Sequence, residues 1–325
     1  MMEVSSTTAG QEAAASGRNA GGNAGDAAFG VLARLAGWSI LLVMAGIIIV
    51  LVSGGWQAFS TFGPGFITSK AWNPITHNFG AATSIFGTLV TTAVALVFAV
   101  PFAFGVAFWL VEMAPPALAR VIEMAVQLLA AVPSIIFGMW GFFIVVPFMA
   151  HYVEPVATRY LGHVPGIGLL FRGAPYGTGL LTGGLILAIM VTPFICSVMA
   201  DVFVSIPAVL KESAFGLGAT RWEVMRKVVL PWSRQAVMGG IMLGTGRALG
   251  ETMAVTFVIG NSNRLGCSLF APGNTIASLI ALEFPESSAG SLKLSALLAL
   301  GAILMVISFI TLACSRMFLQ RGIKN

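Results

Sequence analysis

Long apolar runs dominate the sequence, and six of them reach the length of a membrane-spanning helix. Such a helix needs about 20 mostly apolar residues to cross about 30 Å of hydrocarbon. Five runs contain no Asp, Glu, Lys or Arg, namely 35–69, 71–110, 124–153, 173–200 and 294–315. A sixth run, 235–262, contains Arg247 and Glu251 as its charged residues. The pattern predicts an all-α integral membrane protein with six transmembrane helices, at about 31–56, 84–112, 119–150, 176–204, 234–260 and 292–318.

The composition argues against a soluble protein. Hydrophobic residues make up 57% of the 325 residues and charged residues 9%, and the mean hydropathy is +0.93. A soluble chain of this length does not carry so little charge. Residues 1–30 differ from the rest because they are rich in Ala, Gly and Ser and have few large side chains to bury. We therefore expect a disordered cytoplasmic tail at 1–30 and one transmembrane domain at 31–325, kinked at Pro101, Pro133 and Pro147.

Lysine and arginine residues are distributed unevenly between the predicted loops. With the N-terminus inside the cell, eleven of the seventeen lie in cytoplasmic segments, five lie outside, and Arg247 lies within the membrane. Cytoplasmic loops of membrane proteins carry the excess of positive charge. Both termini are therefore predicted to be cytoplasmic. The net charge of +5 is too dispersed for a nucleic-acid surface, so membrane lipid is an expected partner and nucleic acid is not.

A charged segment, 205–233, separates spans four and five, and we call it the docking segment. Its pattern predicts two short helices with a turn between them. Gly216 or Gly218 can adopt the left-handed conformation that ends the first helix. Thr220 followed by Glu223 is a capping-box pattern that begins the second helix.

The second of these helices is predicted to carry an apolar stripe. Trp222, Met225 and Val229 recur at helical spacing, charged residues flank them, and Pro231 is expected to end the helix. An apolar ridge on the cytoplasmic side suits the docking of another protein. The alternative is a loop whose Lys and Arg side chains bind lipid headgroups.

The docking segment resembles the EAA loop of ABC importer permeases, in which EAA is followed by three residues, Gly and, further on, Leu-Pro. The matching residues are Glu212, Ser213, Ala214, Gly218, Ala219, Leu230 and Pro231, with Ser213 in place of the usual Ala. The resemblance implies the type I ABC importer permease fold. It also implies that these residues, with Arg221 and Trp222, form coupling helices that enter a cleft in a separate ATP-binding subunit.

The chain has no sequence of its own for binding ATP. None of its lysines follows a glycine, so the P-loop pattern that cradles phosphates is missing from the sequence. Cys196, Cys267 and Cys314 form no paired framework, and we expect no metal or redox site. The chain is therefore predicted to be a transport permease with no catalytic residues and no bound cofactor, and the resemblance implies ATP and Mg²⁺ on the partner ATPase.

Four further stretches resemble the phosphate permeases of the Pst system, and the PstC-type subunit in particular. They are 72–88, 131–141, 247–261 and 268–275. The resemblance implies import of inorganic phosphate across the bacterial inner membrane. It also implies a PstA-type second permease, a PstB-type ATPase dimer and a periplasmic PstS-type binding protein as partners. The alternatives are another oxyanion, such as sulfate, molybdate or a phosphonate, or a secondary anion transporter.

Arg247 and Glu251 are the candidates for the substrate pathway. A charge near the middle of a membrane span costs at least about 2.5 kcal/mol, so a function or a partner must offset it. The two residues are four apart and are predicted to share a helix face, where an ion pair is possible. Our hypothesis is that Arg247 supplies positive potential to the anion path and Glu251 holds it in place. The alternative is a pair that only joins two helices.

Small residues recur every four positions in the same predicted span. One row is Gly240, Gly244 and Ala248, and another is Gly246, Gly250 and Ala254. Such rows let helix backbones approach closely in lipid. They predict either a contact within the chain or an interface with a second permease subunit.

Overall fold

The computed structural model describes residues 6–266 and 268–321, so Cys267 lies outside the described residues. Contacts divide the chain into two compact units, one ending at Ser53 and one beginning at Gly54. The first unit is the N-terminal part of helix α1 (Ser6–Phe62), whose apolar stretch Gly25–Phe62 is long enough to cross a membrane. Helix α1 begins at Ser6, within the tail predicted to be disordered at 1–30, and residues 1–5 of that tail lie outside the described residues. Frequent alanine and the lack of proline favour helix there.

The second unit is a bundle of helices with one small hairpin. Its elements are α2 (Gly65–Thr68), β1 (Trp72–Asn73), β2 (Asn78–Phe79), α3 (Ala82–Glu112), α4 (Pro116–Ala131), α5 (Ser134–Leu161), α6 (Leu180–Val204), α7 (Ala208–Gly216), α8 (221–249), α9 (Met253–Val258), α10 (Ile276–Glu283) and α11 (Leu292–Arg321). Strands β1 and β2 pair antiparallel, with Trp72 opposite Phe79. The sequence pattern did not indicate this hairpin.

Five helices of the described residues are long and apolar enough to span a membrane. They are Gly25–Phe62 of α1, α3, α5, α6 and Leu292–Cys314 of α11. The predicted span at 234–260 is not among them. This part of the chain is a broken helix, because α8 ends at Leu249 and α9 begins at Met253.

The predicted span at 119–150 also differs from the structure. Helix α4 ends at Ala131, and Val132 is extended with a ψ of 131° because it precedes Pro133. A new helix, α5, begins at Ser134 and continues to Leu161 through two π-helical segments. Pro133 therefore interrupts the helix, where only a kink was predicted. The helix that is long enough to cross the membrane is α5, which begins after this proline.

The main core lies between α3, α6 and α8. Helix α3 contributes a row of small residues that are fully buried, namely Ala95, Ala99, Ala103 and Ala107. Glycine 184 of α6 lies against this helix, since a Cβ there would be 2.5 Å from a side-chain carbon of Val94. Small residues every four positions allow this close packing of backbones. A second, smaller core joins the β-hairpin to α10 and α11.

Candidate functional site

The turn of the docking segment forms as the sequence predicts. Glycine 218 has a φ of +84°, the left-handed conformation expected after the first helix. Glu223 Oε2 accepts a hydrogen bond from the Thr220 amide at 3.0 Å, and the Thr220 hydroxyl accepts one from the Glu223 amide at 3.3 Å. The predicted capping box is therefore confirmed. The hydrogen bonds that the Thr220 amide and hydroxyl donate to Glu223 Oε2, followed by the influence of Lys227, hold the pKa of Glu223 below its usual value.

Pro231 does not end the second helix, so that prediction was wrong. Residues 221–249 form one continuous helix, α8, with Pro231 near the start of its long regular part. The π-helical segment Met225–Val229 precedes the proline. A wider turn before a proline relieves the clash between its ring and the preceding carbonyls.

The predicted apolar stripe faces the core of the chain itself. Met225 and Val229 are fully buried, whereas Trp222 is half-exposed. The Trp222 ring lies edge-on to Phe104 and Phe108 of α3, with centroid distances of 6.5 Å and 5.8 Å. The stripe as a whole is therefore not an external ridge. It fixes the docking segment to the membrane helices.

A different set of apolar side chains is exposed on the docking segment. Leu217 is 90% exposed at the turn, and Val209 of α7 is 69% exposed. Beside them lies an open groove of about 320 Å³, which we call the docking groove. It is lined by Ala214, Leu217, Gly218, Ala219, Glu223, Val224, Lys227 and Val228.

The structure brings three of the predicted coupling residues to the docking groove, namely Ala214, Gly218 and Ala219. Glu212 and Ser213 are exposed on α7, where the Ser213 hydroxyl donates to the Val209 carbonyl at 2.7 Å. Leu230 packs against the core, and Pro231 is exposed. Of these seven predicted coupling residues, three line the docking groove, three others are exposed, and Leu230 packs against the core.

Arg221 and Lys211 both bind Glu112, the last residue of α3. The Lys211 ammonium lies 2.6 Å from a Glu112 carboxylate oxygen, and Arg221 Nη1 donates to the Glu112 carbonyl at 2.6 Å. Lys211 also donates to the Phe203 carbonyl at 3.1 Å, near the end of α6. Glu112 was not among the residues predicted to form the site. The sequence did contain one signal that could have identified Glu112, because it is the charged residue that ends an apolar span.

Arg247 precedes the helix break and Glu251 lies within it. Arg247 is in the last turn of α8, with its guanidinium carbon 5.9 Å from the Phe194 ring centroid. Glu251 accepts a hydrogen bond from the Ala254 amide at 3.3 Å, in the first turn of α9. The expectation that Arg247 and Glu251 share a helix face was wrong, because Gly250 ends helix α8 between them. Among the described residues, the ion pairs do not include these two side chains.

Helices α5 and α9, which both begin after a break, pack against each other. A Cβ on Gly138 of α5 would lie 3.0 Å from the Cα of Ala254 and 2.9 Å from the ring of Phe257. A Cβ on Gly141 would lie 3.1 Å from a methyl carbon of Val258. Glycine at both positions therefore allows this close contact beside the break. The stretches that contain the two breaks were both singled out in the sequence.

The two rows of small residues have different surroundings. A Cβ on Gly240 or Gly244 would lie within 2.7 Å of Val198 or Ile195 of α6, so this row makes a contact within the chain. Among the described residues, in contrast, no atom outside the neighbouring turns of the helix lies within 4 Å of a Cβ added to Gly246. Arg247, the residue that follows Gly246, is exposed. The face of α8 that carries Gly246 is therefore open in the isolated chain.

The chain is similar to known proteins in both sequence and structure. Residues 99–323 match the family model of the binding-protein-dependent transport system inner membrane component. The phosphate transport system permease protein PstC of Mesorhizobium japonicum is 52% identical over 296 residues, which cover 91% of this chain and 90% of that protein. The PstC of Pasteurella multocida is also 52% identical, with coverage of 87% and 88%. PstC 1 of Mycobacterium tuberculosis is 37% identical, with coverage of 82% and 80%.

Solved transporter structures share the fold at low sequence identity. A chain of a bacterial alginate ABC transporter, in complex with a periplasmic protein bound to an alginate pentasaccharide, has a TM-score of 0.58 at 15% identity. The alignment covers 88% of this chain and 94% of that one. A chain of the inward-facing methionine transporter MetNI has a TM-score of 0.52 at 18% identity, with coverage of 72% and 93%.

Proposed function

Because this chain belongs to the binding-protein-dependent transport system inner membrane components, and among them to the PstC phosphate transport permeases, we propose that it conducts inorganic phosphate across the bacterial inner membrane. It is a multi-pass membrane protein and the permease component of an ABC transporter. The observation that carries the phosphate proposal is the 52% identity to a PstC protein over 91% of the chain.

The permease works with three kinds of partner. A PstB-type ATPase dimer hydrolyses ATP with Mg²⁺, a PstA-type permease forms the other half of the pathway, and a PstS-type protein delivers phosphate outside the membrane. The family description, with its dependence on a binding protein, supports the last of these. The open face of α8 around Gly246 suits contact with the second permease, because small residues permit close helix packing.

The ATPase docks at the docking segment. Support comes from the exposed Leu217 and Val209 beside the docking groove, together with the exposed Glu212. Buried apolar side chains at the centre of an interface supply most of its binding energy. The Leu217 side chain, almost fully exposed in the isolated chain, is the strongest candidate for that central contact.

Helix α8 carries motion from the docking segment to the break. It runs without interruption for 29 residues, from Arg221 beside the docking groove to Leu249. At 1.5 Å per residue, Arg221 and Arg247 are about 39 Å apart along the helix. A displacement that the ATPase imposes at one end therefore reorients Arg247 at the other, without passing through a flexible loop.

Arg247 and the break supply the anion path. A guanidinium that is exposed in the isolated chain can attract an oxyanion and donate two parallel hydrogen bonds to it. Glu251 holds the start of α9 through the Ala254 amide, so it positions the break. Arg247→Gln removes the positive charge and keeps a similar length. Phosphate uptake is expected to fall while the transporter still assembles, and normal uptake by this variant would contradict the role of Arg247.

Isolation of the tagged chain from its native membrane in mild detergent tests the assembly. We expect an ATPase with Walker motifs and a second permease to co-purify. A chain that purifies alone, in a detergent that preserves other transporters, would favour the secondary-transporter alternative. Competition of uptake by sulfate, molybdate or phosphonate would reassign the substrate to another oxyanion.

A further inference from the structure

The end of helix α3 is held by the docking segment through three separate contacts. The Lys211 ammonium pairs with the Glu112 carboxylate at 2.6 Å, Arg221 donates to the Glu112 carbonyl at 2.6 Å, and the Trp222 ring packs on Phe108. The side chains of Lys211 and Glu112 are 16% and 10% exposed, so water screens their interaction little. Both helical parts of the docking segment, α7 through Lys211 and the start of α8 through Arg221, therefore contact Glu112.

The position of Glu112 strengthens these contacts. The last carbonyls of a helix have no partner within the helix, and they carry a partial negative charge. Lys211 and Arg221 bring two positive charges to the end of α3, and Lys211 also binds a carbonyl near the end of α6. The docking segment therefore fixes two helix ends at once.

The opposite end of α3 contacts the loop that follows the helix break. The Ser84 hydroxyl donates to the Asn274 side-chain oxygen at 3.2 Å, and the Thr88 hydroxyl accepts from the Ile276 amide at 2.9 Å. Helix α3 has 31 residues, which correspond to a length of about 46 Å. A single helix thus connects the docking segment to the loop beyond α9.

Resting on the proposed function, we infer that Glu112 is a positioning residue that couples α3 to the ATPase. Its contacts with Lys211 and Arg221 make α3 follow the docking segment when ATP binding moves it. Helix α3 then shifts the loop at Asn274, while α8 shifts Arg247. Helices α3 and α8 therefore transmit the same displacement of the docking segment to the two sides of the break between α8 and α9.

The test uses the complete transporter in liposomes, with both permeases, the ATPase dimer and the binding protein. The readout is the number of phosphate ions transported for each ATP hydrolysed. In Glu112→Gln this ratio is expected to fall about tenfold, because one partner of a desolvated charge pair is removed. Glu112→Asp keeps the carboxylate and is expected to recover part of the ratio.

Glu283→Gln is the matched control. Glu283 pairs with Lys293 at 2.5 Å, and their side chains are 22% and 16% exposed, which is close to the exposure of the Glu112 pair. The pair lies outside the docking segment and the break, so its loss is expected to leave the ratio unchanged. A lower yield of Glu112→Gln complex with an unchanged ratio would overturn the inference, because it would assign Glu112 a purely structural role.

A second experiment does not depend on the stability of Glu112→Gln. Glu112→Cys and Lys211→Cys are combined in a background free of other cysteines and joined by a short thiol cross-linker. Before cross-linking, this double variant is expected to show the low ratio of Glu112→Gln, because it lacks the ion pair, and cross-linking is expected to restore the ratio, since the two sites again move together. A ratio that stays low or falls further on cross-linking would overturn the inference. Absence of phosphate uptake by the unmodified transporter would instead refute the proposed function.

Discussion

A proline in the middle of α8 tests whether this helix transmits motion. Gly239 lies between the docking segment and Arg247, and in the part of the chain that the structure describes no atom beyond the adjacent helix turns lies within 4 Å of a Cβ added there. Side-chain clashes therefore do not complicate a substitution at this position. Gly239→Pro changes the backbone of α8 at an open site, and Gly239→Ala is its matched control.

The size of the effect follows from helix propensity. Relative to alanine, glycine is about 1 kcal/mol and proline about 3 kcal/mol less favourable inside a helix. Gly239→Ala should therefore stabilise α8 by about 1 kcal/mol, and Gly239→Pro should destabilise the straight helix by about 2 kcal/mol. Since 1.4 kcal/mol corresponds to a factor of ten, the proline variant favours a kinked helix about 30-fold relative to wild type.

The assay measures phosphate uptake and ATP hydrolysis together in liposomes that contain the assembled transporter. Gly239→Pro should bind the ATPase and hydrolyse ATP, but uptake should fall by at least about tenfold because α8 no longer carries the motion to Arg247. Gly239→Ala should retain uptake. Normal coupling in an assembled Gly239→Pro complex would refute the idea that α8 acts as a continuous lever.

Three further predictions concern stability and packing. Phe203→Ala removes a fully buried ring and should lower the free energy of unfolding by about 3–5 kcal/mol, measured by denaturation in detergent. Gly138→Leu should destabilise the contact of α5 with α9 and lower the unfolding temperature, whereas Gly105→Leu, with open space around it, should not. The capping box should stabilise the protein above the usual Glu223 pKa of 4.5, and this contribution should be lost as the pH falls through the lowered pKa of the folded state. The difference in unfolding temperature between wild type and Thr220→Ala should therefore shrink on acidification, and a constant difference would contradict it.

Local sequence signals predicted the turn of the docking segment correctly. Thr220 and Glu223 are three residues apart, and Gly218 adopts its conformation regardless of distant contacts. Such signals depend on a few neighbouring residues, so the sequence contains them in full. The break after Val132 also has a local cause, because Pro133 acts on the residue directly before it, but only a kink was predicted there.

Features that depend on tertiary packing could not be predicted in the same way. The stripe of Met225 and Val229 marks an apolar face, but periodicity does not tell whether a core or a partner covers it. The pair of Lys211 and Glu112 joins residues 99 positions apart. The relation of Arg247 to Glu251 was mispredicted because an apolar run looks the same whether its helix is continuous or broken.

Phosphate uptake by liposomes that contain this chain and its partners tests the central claim most directly. With the binding protein outside and ATP with Mg²⁺ at the ATPase, we predict uptake of radiolabelled phosphate that stops when either ATP or this chain is left out. Unlabelled phosphate should compete, and sulfate and molybdate should not. Uptake that persists without ATP, or an assembled complex that hydrolyses ATP without moving phosphate, would contradict the account.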